Sequence, residues 1–332
     1  MACIGPSTVC RHVAEAGETG VTIDPVILFF VLGLSAGLAR SELRLPSAVY
    51  DLVTMILLLS IGLKGGIELA RQPLLPMVPQ MLAVLVLGMF LTLVAFPVLR
   101  LLGRFSRADS ASIAAHYGSV SVGTYAVGVA WLMEAGIGFE AQMPLLMVLL
   151  EIPAILVGIV VARGFAANLR LRHVAHEVFL GKGIVLLVGG VIIGWISGPA
   201  GVGTIEPLFF DLFKGILALF LLEMGLITAG QFGSLRRQGL FLIGFGILMP
   251  LASSVVGAGL GVWLGLSVGG ATLLAIMAAS ASYIAVPAAM RVSVPEANPA
   301  LSLAASLGVT FPFNVLVGIP LYYEIASRIH GN

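Results

Sequence analysis

Ten strongly apolar stretches run through the chain, and the last five repeat the first five in order. Gly33-x-x-x-Gly37 is matched by Gly190-x-x-x-Gly194, and Pro46 and Asp51 by Pro207 and Asp211. Ile61-Gly62-Leu63 is matched by Met224-Gly225-Leu226, and Thr124-Tyr125-Ala126-Val127 by Ser282-Tyr283-Ile284-Ala285-Val286. Pro153 with Leu156-Val157-Gly158-Ile159 is matched by Pro312 with Leu316-Val317-Gly318-Ile319. The offset stays between 157 and 163 residues. Single matches of Gly and Leu mean little, whereas five in order at a nearly constant offset mark a duplication. An odd number of spans, duplicated, places the two copies in opposite orientations in a bilayer, as in many secondary transporters.

The composition demands a bilayer. Hydrophobic residues make up 59% of the 332 and charged residues 10%, against roughly 25% charged in soluble domains. The stretches are too long and too uniformly apolar for the alternating strands of a barrel. No basic stripe lies outside short loops, which argues against a nucleic-acid partner. Residues 1–20 lack the apolar core of a cleaved signal peptide, and Cys3 and Cys10 receive no role.

Spans are expected near 25–39, 48–64, 75–103, 108–134, 142–163, 181–197, 207–229, 237–265, 268–294 and 300–327, the first and sixth short, the fourth and ninth interrupted. One set of span ends carries twelve cations, among them Arg40, Arg107, Arg163, Lys182 and Arg291, against four on the other, Arg11, Lys64, Arg71 and Arg328. The positive-inside rule makes the first set cytoplasmic. The expected organisation is an extracytoplasmic tail (1–24), a first five-helix repeat (25–163), a cytoplasmic linker (164–180), a second, inverted five-helix repeat (181–327) and an extracytoplasmic tail (328–332). The class is an all-α polytopic protein of the plasma membrane, with ten transmembrane helices and both termini outside.

The interrupted spans carry the chemistry. The fourth contains His116-Tyr117-Gly118-Ser119-Val120-Ser121-Val122-Gly123-Thr124, and the ninth Ser280-Ala281-Ser282-Tyr283-Ile284-Ala285-Val286-Pro287. Gly and Pro weaken the backbone ladder where no water can replace it. In an inverted pair the two breaks meet near the midplane and present half-helix N-termini, which attract anions without Lys or Arg. Gly118, Ser119, Ser121, Gly123, Thr124, Ser280 and Ser282 are therefore the candidate substrate-binding residues. The competing reading of such small residues is close helix packing. Glu151 and Glu223 lie within spans, where carboxylates usually mark an ion path; Glu223 is the stronger candidate, beside Gly225. Asp211 and Lys214, three apart, are expected to pair on one helix face, while Asp51 has no Lys beside it. His116 reads as a packing or hydrogen-bonding histidine rather than a proton relay. No metal-ligand spacing is present.

These motifs together are similar to one known family. Ile61-Gly62-Leu63-Lys64-Gly65-Gly66, the Gly118-x-Val120-Ser121-x-x-Thr124 break, Glu151-Ile152-Pro153-Ala154, Ser280-x-Ser282 and Pro295-x-Ala297-Asn298-Pro299 resemble the sodium-dependent bicarbonate transporter family (SbtA type) over about residues 26–327. The resemblance implies a ten-span homotrimer that takes up bicarbonate with Na+ between the broken helices, with Gly118, Ser121, Thr124, Ser280 and Ser282 lining the sites. It also implies Na+ as coupling ion without other cofactors, and a PII-like regulator on the cytoplasmic face. The chain departs from the cyanobacterial pattern at Tyr283, where an Asp is expected, and at Glu223, where that pattern is apolar; its linker is also shorter. Glu223 would then replace the missing charge, so the cation-coupling set is Glu223, Ser282, Tyr283 and Glu151, and the coupling ion is Na+ or H+.

The leading expectation is sodium-dependent symport of bicarbonate into the cell. The same residues also suit another small anion, a carboxylate or an oxyanion, carried with Na+ or H+. The remote readings are a channel or an intramembrane enzyme. His116 and the serines beside it share one local segment, whereas a catalytic base normally comes from a separate element.

Overall fold

A computed structural model describes residues 24–71, 75–164 and 180–331, the side chains of 234–238 excepted. Cys3, Cys10 and most of the expected linker lie outside the described residues. Within them every regular element is helical. The helices are α1 (Pro25–Leu38), α2 (Ser47–Leu69), α3 (Val78–Pro97), α4 (Arg107–Gly118), α5 (Val122–Glu134), α6 (Met143–Arg163), α7 (Lys182–Val202), α8 (Phe213–Gln238), α9 (Leu240–Trp263), α10 (Val268–Ala278), α11 (Ala285–Ser293) and α12 (Pro299–His330).

Among the described residues, seven stretches are long and apolar enough to cross a membrane: Ser47–Leu69, Leu75–Leu102, Met143–Arg163, Lys182–Val202, Phe213–Gly233, Leu240–Trp263 and Pro299–His330. The expected first, fourth and ninth spans are missing from this set for two different reasons. The first, α1, has only 14 residues, opening on Pro25 at N1 with the Asp24 carboxylate accepting from the Val26 N–H. The fourth and ninth are each divided, into α4 and α5 and into α10 and α11. The sixth is short for a local reason: Gly198 adopts φ +60° inside α7 and ends its straight portion, a conformation that costs glycine little.

Close glycine contacts hold one group of four helices together. Gly33 of α1 lies against the Leu222 carbonyl of α8, and Gly225 against the Phe30 carbonyl. Gly190 of α7 lies against the Leu59 carbonyl of α2, and Gly62 against the Leu187 carbonyl. A Cβ at Gly33, Gly225 or Gly62 would enter the neighbouring backbone, and one at Gly190 would crowd it, so small residues permit this approach. One turn further on, Gly37 meets Leu226 as Gly33 meets Leu222, and Gly66 meets Trp195 as Gly62 meets Gly190, so α1 runs parallel to α8 and α2 parallel to α7.

The second group consists of α3, α4 and α6 packed on one another, and α9, α10 and α12 likewise. The two divided spans run antiparallel. Asp109 at the start of α4 accepts from the Asn298 N–H beyond α11 at 2.8 Å. Glu140, beyond α5, accepts from the Ser267 N–H that opens α10.

The ionic pairs differ from expectation. Lys214 bonds Glu134 at the end of α5, at 2.7 Å, rather than Asp211. Residues Pro207–Asp211 form a wide π turn that ends before α8 begins, so Asp211 and Lys214 do not share one regular helix face. Asp51 does have a lysine, Lys182 of α7, at 2.6 Å.

Gly225→Ala tests the α1/α8 contact. Overpacking of this kind costs about 1–3 kcal/mol, so thermal unfolding in detergent is expected several degrees lower. Gly189→Ala faces open space on α7 and is expected to leave the midpoint unchanged.

Candidate functional site

The two breaks meet and bond to each other. α4 ends at Gly118, Ser119 is extended at φ −97° and ψ −171°, and α5 begins at Val122. α10 ends at Ala278 and α11 begins at Ala285. The second break, 279–284, lies slightly earlier than its proline suggests, because Pro287 sits in the first turn of α11, where a missing N–H removes no helical bond.

The Ser121 N–H donates to Ser280 Oγ at 2.9 Å, and the Ser280 hydroxyl donates to the Met277 carbonyl at 2.9 Å. The Ser282 N–H donates to the His116 carbonyl at 2.9 Å. In return, His116 Nδ1 bonds the Ser282 carbonyl. A carbonyl only accepts, so Nδ1 carries the proton. His116 is thus the hydrogen-bonding histidine its position suggests, tying one break to the other. Ser121 caps α5 as well, accepting from the Thr124 N–H at 3.1 Å and the Thr124 hydroxyl at 2.9 Å. No side chain caps the N-terminus of α11 at Ile284.

Gly118 closes α4 against Thr92 and the Gly88 carbonyl of α3. Gly123 faces the Tyr283 hydroxyl and the Phe220 ring. All the candidate substrate-binding residues are therefore buried around one centre, joined by Tyr283. Among the described residues, the buried hydroxyls of Ser119 and Tyr283 at the breaks, and of Tyr125 beside Thr124, lack a hydrogen-bond partner.

The two carboxylates separate. Glu151 of α6 is buried and approaches the Ser282 side chain. Glu223 is partly exposed on α8 and has the Leu45 backbone and Tyr50 as polar neighbours, with Oε2 unpartnered among the described residues. Glu151, the weaker candidate by sequence, is the one that reaches the break.

Sequence reasoning missed the third layer of the site. Asn314 Nδ2 of α12 donates to the Ala279 carbonyl freed by the second break, at 3.0 Å. The Tyr322 hydroxyl donates to Asn314 Oδ1 at 2.6 Å. Thr310, on the same helix, joins the Tyr117 hydroxyl at 2.7 Å and the Gly246 carbonyl at 2.7 Å. α12 widens to π turns at Ser306–Thr310 and Asn314–Gly318, a feature frequent at functional sites. An amide within an apolar run was the available signal.

Two cavities approach this centre from opposite ends of the broken helices. One, of about 540 Å³, is lined by Ser60, Lys64, Tyr125, Met133 and Phe213 among others. The other, of about 170 Å³, is lined by Ser112, His116, Pro287, Arg291 and their neighbours. A gap of about 10 Å³ opens beside Gly123, Phe220 and Ile284, room for no more than about one water.

A buried polar centre on two broken helices, closed between opposed cavities, places this multi-pass helical membrane protein among transporters. The chain belongs to the Na+-dependent bicarbonate transporter superfamily, whose family model matches residues 25–327. No curated protein sequence matches it. Membership in this family implies transport rather than catalysis.

Asn314→Leu leaves the Ala279 carbonyl and the Tyr322 hydroxyl without partners, at about 1–3 kcal/mol each. Asn314→Asp keeps an acceptor for Tyr322 and loses only the donor. Thermal midpoints are expected to fall in the order wild type, Asn314→Asp, Asn314→Leu.

Proposed function

We propose that this protein is a secondary transporter that carries bicarbonate into the cell together with Na+, and that its ten spans form a five-plus-five inverted repeat. The observation that supports the site most directly is the bonding of each break to the other through Ser121, Ser280, His116 and Ser282. The repeat is supported by contacts that recur between equivalent positions. The contact of Gly33 with Leu222 returns as Gly190 with Leu59, and that of Gly225 with Phe30 as Gly62 with Leu187.

The distribution of cations orients the protein in the plasma membrane, with both termini outside. The Lys64 cavity then faces outward and the His116 cavity faces the cytoplasm. The anion docks on backbone N–H groups at the half-helix N-termini and on the serine and threonine hydroxyls. Na+ takes hydroxyl, carbonyl and carboxylate oxygens at Ser282, Tyr283 and Glu151. With Glu151 already at the break, Glu223 is not needed to supply the charge there. Carriage inward requires the helices that carry the breaks to shift against α2 and α8, opening the closed gap to one cavity and then to the other. A homotrimer and a PII-like regulator on the cytoplasmic face complete this reading on the strength of the resemblance.

Uptake of labelled bicarbonate into vesicles under an imposed Na+ gradient tests it. Ser121→Ala and Glu151→Gln are each expected to lower uptake at least about tenfold, the rate equivalent of about 1.4 kcal/mol. Glu223→Gln is expected to lower it far less. Uptake indifferent to Na+, or untouched by Glu151→Gln, would remove the assigned coupling site.

A further inference from the structure

The cavity beside His116 has a chemistry of its own. Three of its lining residues are prolines, Pro287, Pro295 and Pro299, which offer no backbone donor. Met290, Val294 and Ala297 are apolar, so the polar groups of the wall are the side chains of Ser112, His116 and Arg291. Ser112 is already engaged with Ser302 at 3.1 Å. Arg291 makes no ion pair among the described residues; the acid of the following loop, Glu296, lies 3.9 Å from Arg163 instead. His116 gives its Nδ1–H to the Ser282 carbonyl. In the neutral ring Nε2 is then a bare acceptor. It has no hydrogen-bond partner among the described residues, and the ring that carries it lines the cavity.

A cation and a lone-pair acceptor therefore share one small space. A ligand satisfying both must carry negative charge for Arg291 and an O–H to donate to His116. A simple carboxylate or nitrate meets Nε2 with another lone pair. The volume of about 170 Å³ is well above the roughly 10–15 Å³ that one water needs, enough for a small oxyanion and its remaining hydration.

We propose that this cavity binds a protonated oxyanion, an anion that keeps its own O–H, and that the Ser282-fixed tautomer of His116 makes the selection. The inference rests on the transport reading for the identity of the cargo, bicarbonate being such an anion; inorganic phosphate shares the chemistry. His116 thus does two things. Its Nδ1 edge ties the breaks together, and its Nε2 edge reads the ligand's proton at a point separate from the N-terminal groups of α5 and α11. A site that hydrogen-bonds a ligand hydroxyl discriminates strongly against the analogue lacking it.

The test uses the purified full-length protein in detergent, with thermal unfolding followed against sodium bicarbonate, phosphate, formate and nitrate. His116→Asn places an amide N–H where Nδ1 was and removes Nε2, so it preserves the bond between the breaks. Bicarbonate or phosphate is expected to raise the wild-type midpoint by mass action, formate and nitrate much less. In His116→Asn and in Arg291→Gln the apparent Kd for that anion is expected to rise at least tenfold, while the weak response to formate stays as it was. The double variant is expected to lose little more than either single one, because both residues hold one ligand. Binding at the breaks would also stabilise the protein, but Arg291→Gln would leave it untouched. Equal stabilisation of the wild type by formate and bicarbonate, or an unchanged Kd in both single variants, would overturn the proposal. If His116→Asn does not fold, Arg291→Gln and the wild-type comparison of bicarbonate with formate decide it. Failure of the transport reading is seen separately, as absence of vesicle uptake by a protein that still binds bicarbonate in solution.

Discussion

Every backbone N–H and C=O inside a bilayer needs a partner within the protein, because lipid supplies none. Most helices here meet that requirement internally. The two divided spans do not, and their answer is mutual. Ser280 takes the Ser121 N–H, the His116 carbonyl takes the Ser282 N–H, and Asn314 covers the Ala279 carbonyl. Neither break could exist alone at this depth without orphaned groups at about 1–3 kcal/mol apiece. The antiparallel run of α4–α5 against α10–α11, the amide on α12 and the glycines that let neighbours come close are all arrangements that make the pairing geometrically available.

The pairing is incomplete in an informative way. Among the described residues, Ser119 and Tyr283 at the breaks and Tyr125 beside Thr124 keep buried hydroxyls without partners. Each is a free-energy cost that a ligand or water could relieve. A ligand shifts a conformational equilibrium only by binding one state better than the other. Hydroxyls unsatisfied in the closed arrangement and satisfied in a loaded one would supply that difference. Tyr283 fits this role well. Its phenol leans on Gly123, at the N-terminus of α5, so an anion arriving there must meet or displace it.

How much of this could be read from residues alone depended on whether the cause was local. The glycines whose spacing led to the expectation of a duplication are the contact points of α1 with α8 and α2 with α7. The first break was visible because Gly118 to Thr124 concentrates small polar residues in one run. The second was displaced a few residues toward Pro287, since a proline marks a helix start as readily as an interruption. Long-range partners stayed hidden. Lys214 lies three residues from Asp211 yet meets Glu134, 80 positions away. Glu151 outranks Glu223 at the break because α6 carries it there, a fact of packing that local sequence does not encode. Asn314 could have been singled out, since an amide in an apolar span is costly unless it is paired.

The helix groups indicate how such a site can move. α1, α2, α7 and α8 pack closely with one another, while the broken helices lie with α3, α6, α9 and α12. The small gap at the centre is walled from both groups: Thr54, Leu57 and Phe220 come from the first, and Val122, Gly123, Ala126 and Ile284 from the second. A displacement of one group against the other therefore changes the gap and leaves the hydrogen bonds between the breaks within a single body. Under the proposed transport, that economy matters. The polar contacts between the breaks stay intact, and beside the gap the sliding surfaces are the apolar ones of Leu57 and Phe220, where exchanging one van der Waals neighbour for another costs little. The polar contacts that such a shift must exchange are those of Thr228 with the Leu307 carbonyl and of Lys214 with Glu134.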